Sequence, residues 1–269
     1  AEVILTTSML KLWDCYDSFE DYWSNIEKYK FRFAIAKTAP EELETERNTN
    51  YQFLQSYNLS DEDIDELIKP TLDEIEEVLG LDYQKSLLFL KGMSMSEKNV
   101  WNNTEYYVKS LMIEPKMIND PYIRSQIYRM IKKKIQQAKI GVLKVNGNFA
   151  IIGGDPYSLC QSMFGLEVTG LLKRGECYHK YWSDLNVDRI VCFRAPMTSH
   201  NNIRRLNIAD NEDVRHWYQY INTCMLLNSW DTTCEALNGA DHDGDLFFTT
   251  NNRVLLDNTR DLPCIQCVQ

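Results

Sequence analysis

Gly239-Ala240-Asp241-His242-Asp243-Gly244-Asp245 runs directly into Leu246-Phe247-Phe248, and this stretch decides how the rest of the chain is read. Three carboxylates alternate with His242 and Gly244, so in a loop or extended backbone residues 241, 243 and 245 can turn toward one centre, as they could not on a helix. Left without a cation, three like charges a few ångströms apart would raise one another's pKa until some took up protons. A hard divalent ion that prefers oxygen ligands is the natural neutraliser, and Mg2+ is the expected one. Gly244 lacks a Cβ, which permits positive φ and close approach of the backbone to an ion or a phosphate. The bland reading is a solvated acidic turn, because Asp and Gly are common turn residues. The density of acids and the apolar strand that follows favour the metal.

Spacing separates the metal readings. An EF-hand loop counted from Asp241 would need Gly at position 6 and Glu at position 12, where Leu246 and Arg253 stand. An aspartyl phosphatase would place its nucleophile after a buried strand, but Ala236-Leu237-Asn238-Gly239-Ala240 is a poor strand and the apolar run comes afterwards. Ala240 to Asp245 instead resembles the metal-binding signature of the two-barrel RNA polymerases. That superfamily joins the cellular multisubunit transcriptases, the silencing-type RNA-directed RNA polymerases and related single-chain phage enzymes. In it, three aspartates on a loop of a double-psi β-barrel hold the catalytic Mg2+. His242 stands where an apolar or aromatic residue is usual.

Length and composition agree with a soluble chain of one large or two modest domains: 269 residues, 44% hydrophobic, 25% charged. No apolar run approaches the 18 residues or so of a membrane span, no secretory signal opens the chain, and a cytoplasmic setting is expected, the host cytoplasm or nucleoid for a phage protein. Ala1 in place of an initiator Met is read as the mark of a piece of something longer. The eight cysteines are scattered among apolar neighbours, which predicts reduced thiols, and Cys264-Ile265-Gln266-Cys267 lacks the second pair that a zinc site needs. Net charge is −10, but it is unevenly spread. Residues 1–100 hold 21 acidic and 10 basic side chains (−11), and residues 101–269 hold 18 and 19 (+1), so the second part can still present basic tracks to phosphates.

Along the chain, residues 5–10 read as a short strand or its end, and Trp13, Tyr16, Phe19, Trp23 and Ile26 recur at helical spacing as a predicted buried face. Residues 37–50, with Pro40, form a connector. Ser60 before Asp61-Glu62-Asp63 is a helix N-cap; Pro70 interrupts, then Leu72, Ile75, Val78 and Leu79 continue to Gly80. Residues 86–95 read as a buried helix, and the Asn102 sequon is only formal. Asp120 and Pro121 open a helix with Ile123, Ile127, Met130, Ile131 and Ile135 on one side and Arg124, Arg129, Lys132, Lys133, Lys134 and Lys139 on the others. That second face is either a snorkelling solvent face or one that borders nucleic acid.

From Lys139 the texture turns to β. Residues 140–145 and 149–152 around Asn146-Gly147 predict a hairpin with a type I′ turn, Gly153 to Pro156 a loop. Strands are expected at 167–172, 176–181, 187–193, 246–250 and 253–256, with a helix near 211–227 capped by Asn211.

Two more blocks extend the resemblance. Arg194-Ala195-Pro196 leaves a β run about 47 residues before Asp241 and matches the family's Arg-x-Pro element, whose Arg recognises the ribose hydroxyls of the incoming nucleotide. The family's His after the Pro is met only approximately by His200. Leu172-Lys173-Arg174-Gly175-Glu176, with Asp155 ahead of it, resembles the Leu-x-x-Gly-Glu turn of the silencing-type enzymes.

The resemblance covers residues 139–257 and implies an α+β chain: a mainly helical connector at 1–138, then a double-psi β-barrel domain at 139–269. It implies an RNA polymerase, a nucleotidyltransferase of transcription. Asp241, Asp243 and Asp245 would be the catalytic and metal-binding residues, Mg2+ the cofactor in a two-metal mechanism, and Arg194 the substrate-binding residue. The partners implied are nucleoside triphosphates, the RNA product, a DNA or RNA template, and the remaining polymerase domains, including a second β-barrel upstream. Nothing in 1–138 reads as that barrel, so the chain alone is expected to be inactive and to bind metal weakly. The rival readings are a non-catalytic, nucleic-acid-binding or scaffold module with a structural cation and, further off, a phosphatase with Asp241 as nucleophile.

Overall fold

A computed structural model of the chain describes residues 7, 10, 12–32, 38–92 and 105–265. The amino-terminal half is helical. Helix α1 (Phe19–Tyr29) is capped by Ser18, whose hydroxyl accepts the Asp21 N–H, and it buries only Tyr22. Its aromatic residues are not the predicted buried face: Phe19 and Trp23 are 53% and 44% exposed. The rings satisfy one another locally, Trp13 and Tyr16 against Tyr22 and Phe19 stacked on Trp23. The expected strand at residues 5–10 falls largely outside the described residues, as does the Asn102 sequon.

Strand β1 (Glu46–Asn48) and the short helix α2 (Tyr51–Gln55) precede the long helix α3 (Asp61–Leu79). Ser60 and Asp63 form a reciprocal capping box at its start. The helix passes through Pro70 without a break. Its buried stripe is Leu67, Thr71, Ile75 and Val78, which leaves Leu72 and Leu79 on the outer side. Helices α4 (Tyr83–Lys91), α5 (Tyr106–Ile113) and α6 (Pro121–Ala138) complete this half. Helix α4 stops at Gly92 in the left-handed region, short of the Met95 expected. Asp120 caps α6 by accepting from the N–H groups of Tyr122 and Ile123, with Pro121 at the first helical position. Ile75, Val78, Val108, Leu111, Ile123, Ile127 and Ile131 close a core between α3, α5 and α6.

Strand β2 (Lys144–Asn146) pairs antiparallel with β1, and the chain then enters a closed barrel of six strands. These are β3 (Asn148–Gly154), β4 (Glu176–His179), β5 (Arg189–Phe193), β6 (Arg204–Ile208), β7 (Cys224–Leu227) and β8 (Leu246–Thr250). Around the barrel the order is β3-β7-β4-β6-β5-β8, with β3–β7 and β4–β6 parallel and the other pairs antiparallel. The chain is α+β, and its β half is a double-psi barrel. Alternate residues fill it: Ala150, Ile152, Cys177, Ile190, Cys192, Leu206, Met225 and Phe247 share one core. The next residues along two of these strands, Phe193 and Phe248, face outward and stack on Phe53 of α2 at 4.8 and 5.5 Å between centroids.

Several predicted elements are overturned. Asn146-Gly147 is no hairpin turn, since β2 pairs with β1 whereas β3 pairs with β7 and β8. Gly147 is absent from the positive-φ residues, which a type I′ turn would require. Its lack of a side chain serves space instead: a Cβ there would stand 2.8 Å from both Phe248 Cζ and the Thr249 carbonyl. Residues 167–172 are loop, held by the Gln161 side chain, which accepts from the N–H groups of Thr169 and Gly170. The helix expected over 211–227 is only α9 (Glu212–Trp217), capped by Asn211 as predicted; the apolar run beyond it is β7. Residues 253–257 are helical, because Asn252 accepts the Leu255 N–H as an N-cap. No strand is expected at β6 or β7, and two segments read as strands, 167–172 and 253–256, are not.

His200 fastens this scaffold to the tail. It is buried, its Nδ1 lies 3.1 Å from the Ser56 carbonyl, and its Nε2 accepts the Arg260 N–H at 2.9 Å. These partners require the neutral ring with the proton on Nδ1. Burial depresses the His200 pKa, the bond to Ser56 opposes this, and the Arg260 charge adds to the depression. A depressed folded-state pKa means that the unfolded chain binds the proton more readily, so stability falls as pH drops. The contribution is complete above about pH 6.5, the ordinary histidine value, and is lost as pH falls through the folded value. The urea midpoint is expected to fall between pH 7.5 and pH 5, and His200→Gln to flatten part of that fall.

Candidate metal and nucleotide site

The aspartate loop hangs between the short helix α10 (Thr233–Ala236) and β8. Two successive left-handed residues, Asn238 and Gly239 at φ 60° and 61°, reverse the chain after α10, and Gly244 at φ 116° lets it turn again into β8. At Gly244 the sequence reading is met directly, since only glycine enters that region without strain. One carboxylate oxygen from each of Asp241, Asp243 and Asp245 lies within 4.8 Å of the other two. Among the described residues this is the cluster of three ligating side chains that forms.

The loop is tied down from three sides. Asp241 N–H donates to Asp245 Oδ2 at 3.0 Å, and Ile152 N–H of β3 donates to the Asp245 carbonyl at 3.0 Å. Cys234 of α10 donates its thiol to the Ala240 carbonyl at 3.0 Å and lies 3.9 Å from His242 Nε2. Burial, aided by Glu235, Asp245 and Asp241, pushes the Cys234 thiol up to about 11, which keeps the proton that the bond to Ala240 needs. The His242 ring lies over Gly154 at the end of β3.

Arg194 is part of the same cluster. The pairing of Phe193 with Phe248 brings the end of β5 beside the start of β8. Arg194 Nη2 reaches Asp245 Oδ2 at 2.9 Å, and Nη1 donates to the Asn238 carbonyl at 2.9 Å. The guanidinium therefore fixes both the third aspartate and the turn before the loop. His200 lies elsewhere, on the Ser56 and Arg260 main chain, and the third block is linked to the loop indirectly.

That link is Asp231, which sequence reasoning missed. Its carboxylate accepts from Gly175 N–H at 2.7 Å, Asn228 Nδ2 at 2.9 Å and Thr233 N–H at 2.9 Å, so it ties the Lys173-Arg174-Gly175 turn to the start of α10. Burial raises the Asp231 pKa, but the bonds from Thr233, Gly175 and Asn228 outweigh it and hold the carboxyl below its ordinary value. The signal was available: Asp231 stands two residues before Thr233, as a side chain that accepts a backbone N–H two positions on would. Asp155 plays a similar part for α7 (Pro156–Met163): buried, it accepts from Tyr157 N–H, Ser158 N–H and hydroxyl, Leu171 N–H and the Tyr218 hydroxyl. With its oxygens so occupied it is a structural knot and no metal ligand. Cys264 is partly buried with a free thiol, and Cys267 lies outside the described residues.

No family model matches the chain. Over 260 residues it is 26% identical to the DNA-directed RNA polymerase YonO of Bacillus phage SPbeta, a match covering 95% of this chain and 29% of that protein. The RNA dependent RNA polymerase QDE-1 from Thielavia terrestris superposes on 86% of the chain with a TM-score of 0.59 at 12% identity, over 27% of its own length. In sequence and in fold the chain is similar to RNA polymerases of the double-psi β-barrel type. It spans less than a third of the length of either relative. A cluster of carboxylate oxygens such as Asp241, Asp243 and Asp245 present suits a hard divalent cation. Among the described residues no helix is long and apolar enough to cross a membrane.

Proposed function

We propose that this chain is the catalytic barrel of a larger RNA polymerase, which adds ribonucleotides to an RNA 3′ end on a DNA or RNA template. The observation that carries the reading is the convergence of Asp241, Asp243 and Asp245 with Arg194 bonded into their midst. Mg2+ would be held by the three aspartates. Octahedral Mg2+ with bonds of about 2.0–2.1 Å sets neighbouring ligand oxygens about 3 Å apart and opposite ones about 4 Å apart. An oxygen spread of up to 4.8 Å needs only small side-chain rotations to reach that range. A cation held there, with a second brought by the triphosphate, would supply the charge that acidifies the 3′-hydroxyl and steadies the pyrophosphate.

The residues of the chain position and hold. The aspartates contribute charge and place, and no proton. Arg194 spends two of its five N–H donors on Asp245 and Asn238, which leaves three for the sugar hydroxyls of an incoming nucleotide. Residues 1–138 serve as the connector and 139–269 as the barrel domain, and further domains, with a second barrel upstream, complete a cytoplasmic enzyme. The test is nucleotide incorporation by the complete polymerase carrying Arg194→Ala. Loss of hydrogen bonds from a charged donor, about 1.5–3 kcal/mol, should narrow the preference for ribo- over deoxynucleotides by about 10- to 100-fold. An unchanged preference would remove Arg194 from the nucleotide site.

A further inference from the structure

We infer that the outer face of α6 is a docking track for the sugar–phosphate backbone of nucleic acid. The inference rests on the polymerase reading but uses none of its metal site. In a chain of net charge −10, the 18 residues of α6 contain Arg124, Arg129, Lys132, Lys133 and Lys134 and neither Asp nor Glu. A helix that is merely solvated in so acidic a chain would carry both signs.

The inner face of α6 is accounted for by Ile123, Gln126, Ile127 and Ile131 in the helical core. Lys134 is also accounted for, by its ion pair with Glu74 of α3. What remains points outward. Arg129 is held by the Gln126 side-chain oxygen, a neutral partner, and makes no ion pair among the described residues. Lys132, Lys133 and Lys139 are exposed and have no ion-pair partner among the described residues. At 1.5 Å per residue, Lys132 and Lys139 stand about 10 Å apart on one side of the helix, the axial span of about three phosphates of one strand. Tyr128, exposed on the same helix between Arg124 and Lys132 in sequence, adds a hydroxyl donor.

Position fixes which part of the nucleic acid is met. Helix α6 feeds β2 and then β3, whose seven residues run from the α6 side to Gly154 beneath His242. That is about 20 Å of strand, or about six base pairs of duplex. Separated from the aspartates by β2 and the length of β3, the track would grip nucleic acid away from the reacting ends.

The test is binding of a fluorescein-labelled RNA–DNA hybrid to the chain across a salt series, in EDTA and without nucleotides, so that a loss of catalysis cannot imitate a loss of binding. Combined Lys132→Ala, Lys133→Ala and Lys139→Ala should reduce the slope of log affinity against log salt by about 2 to 3, and Arg at the same three positions should keep it. All three side chains are exposed, so the melting midpoint serves as the folding control. An unchanged slope in a folded triple variant would overturn the inference. Polyglutamate competing as well as the hybrid would overturn it too, by assigning the face to an acidic protein.

Discussion

Asp243→Asn in the complete polymerase is expected to lower nucleotide incorporation on the order of 1,000-fold and to leave the fold intact. The amide keeps the shape of the side chain and removes its charge. If the cation at this cluster supplies several kcal/mol of transition-state stabilisation, weakening its hold by one full charge forfeits most of that. Asp243 is the informative member of the three. Asp245 carries the Arg194 ion pair and the Asp241 N–H, and its carbonyl takes the Ile152 N–H, so replacing it would disturb the loop and the barrel together. Asp243 is exposed on the turn, where its N–H makes a long 3.4 Å contact with Asp241 Oδ1, and its carbonyl and carboxylate anchor neither Arg194 nor β3. Removing one of three neighbouring like charges relieves repulsion, so the melting midpoint should hold or rise while incorporation collapses. Extension assays on the complete enzyme, with melting as control, read both quantities. Undiminished extension would leave the aspartates a structural cation site at most.

The aspartate loop was legible because its chemistry is local: carboxylate identity and spacing, with one glycine, are all that it needs. Arg194 was legible only through its place after a strand, and the sequence could not say that it would bond to Asp245, since that contact depends on β5 lying against β8. The supports were harder to see. Asp231 and Asp155 look like turn residues, and their work is done by backbone N–H groups up to 56 residues away. The Asn146-Gly147 error has the same origin. A dipeptide that locally favours a hairpin was read as one, whereas the glycine answers to Phe248 and Thr249, about a hundred residues distant. Strand β7 and the helix at Arg253–Asp257 show the limit of short apolar runs, which suit either element until a cap or a neighbour decides.

The same non-local logic gives the largest expected effect on stability, at Phe53. Aromatic spacing had pointed to α1, yet Phe19 there is half exposed, and Phe19→Ala should change the unfolding free energy by no more than about 0.5 kcal/mol. Phe53 is 2% exposed and lies on the five-residue helix α2, far too short to be stable alone. Its ring stacks on Phe193, the residue before Arg194, and on Phe248, three residues after Asp245. Truncating a buried Phe costs about 3–5 kcal/mol, through lost transfer energy and the cavity left behind. Phe53→Ala should therefore lower the unfolding free energy by about that amount in urea titrations followed by tryptophan fluorescence. Because the ring joins the helical half to the two strands that carry the site, the loss should fall on a single transition shared by both halves. If the variant instead melted in two steps, or lost less than about 1 kcal/mol, the two halves would be energetically separate. The site would then owe nothing to the helices that precede it.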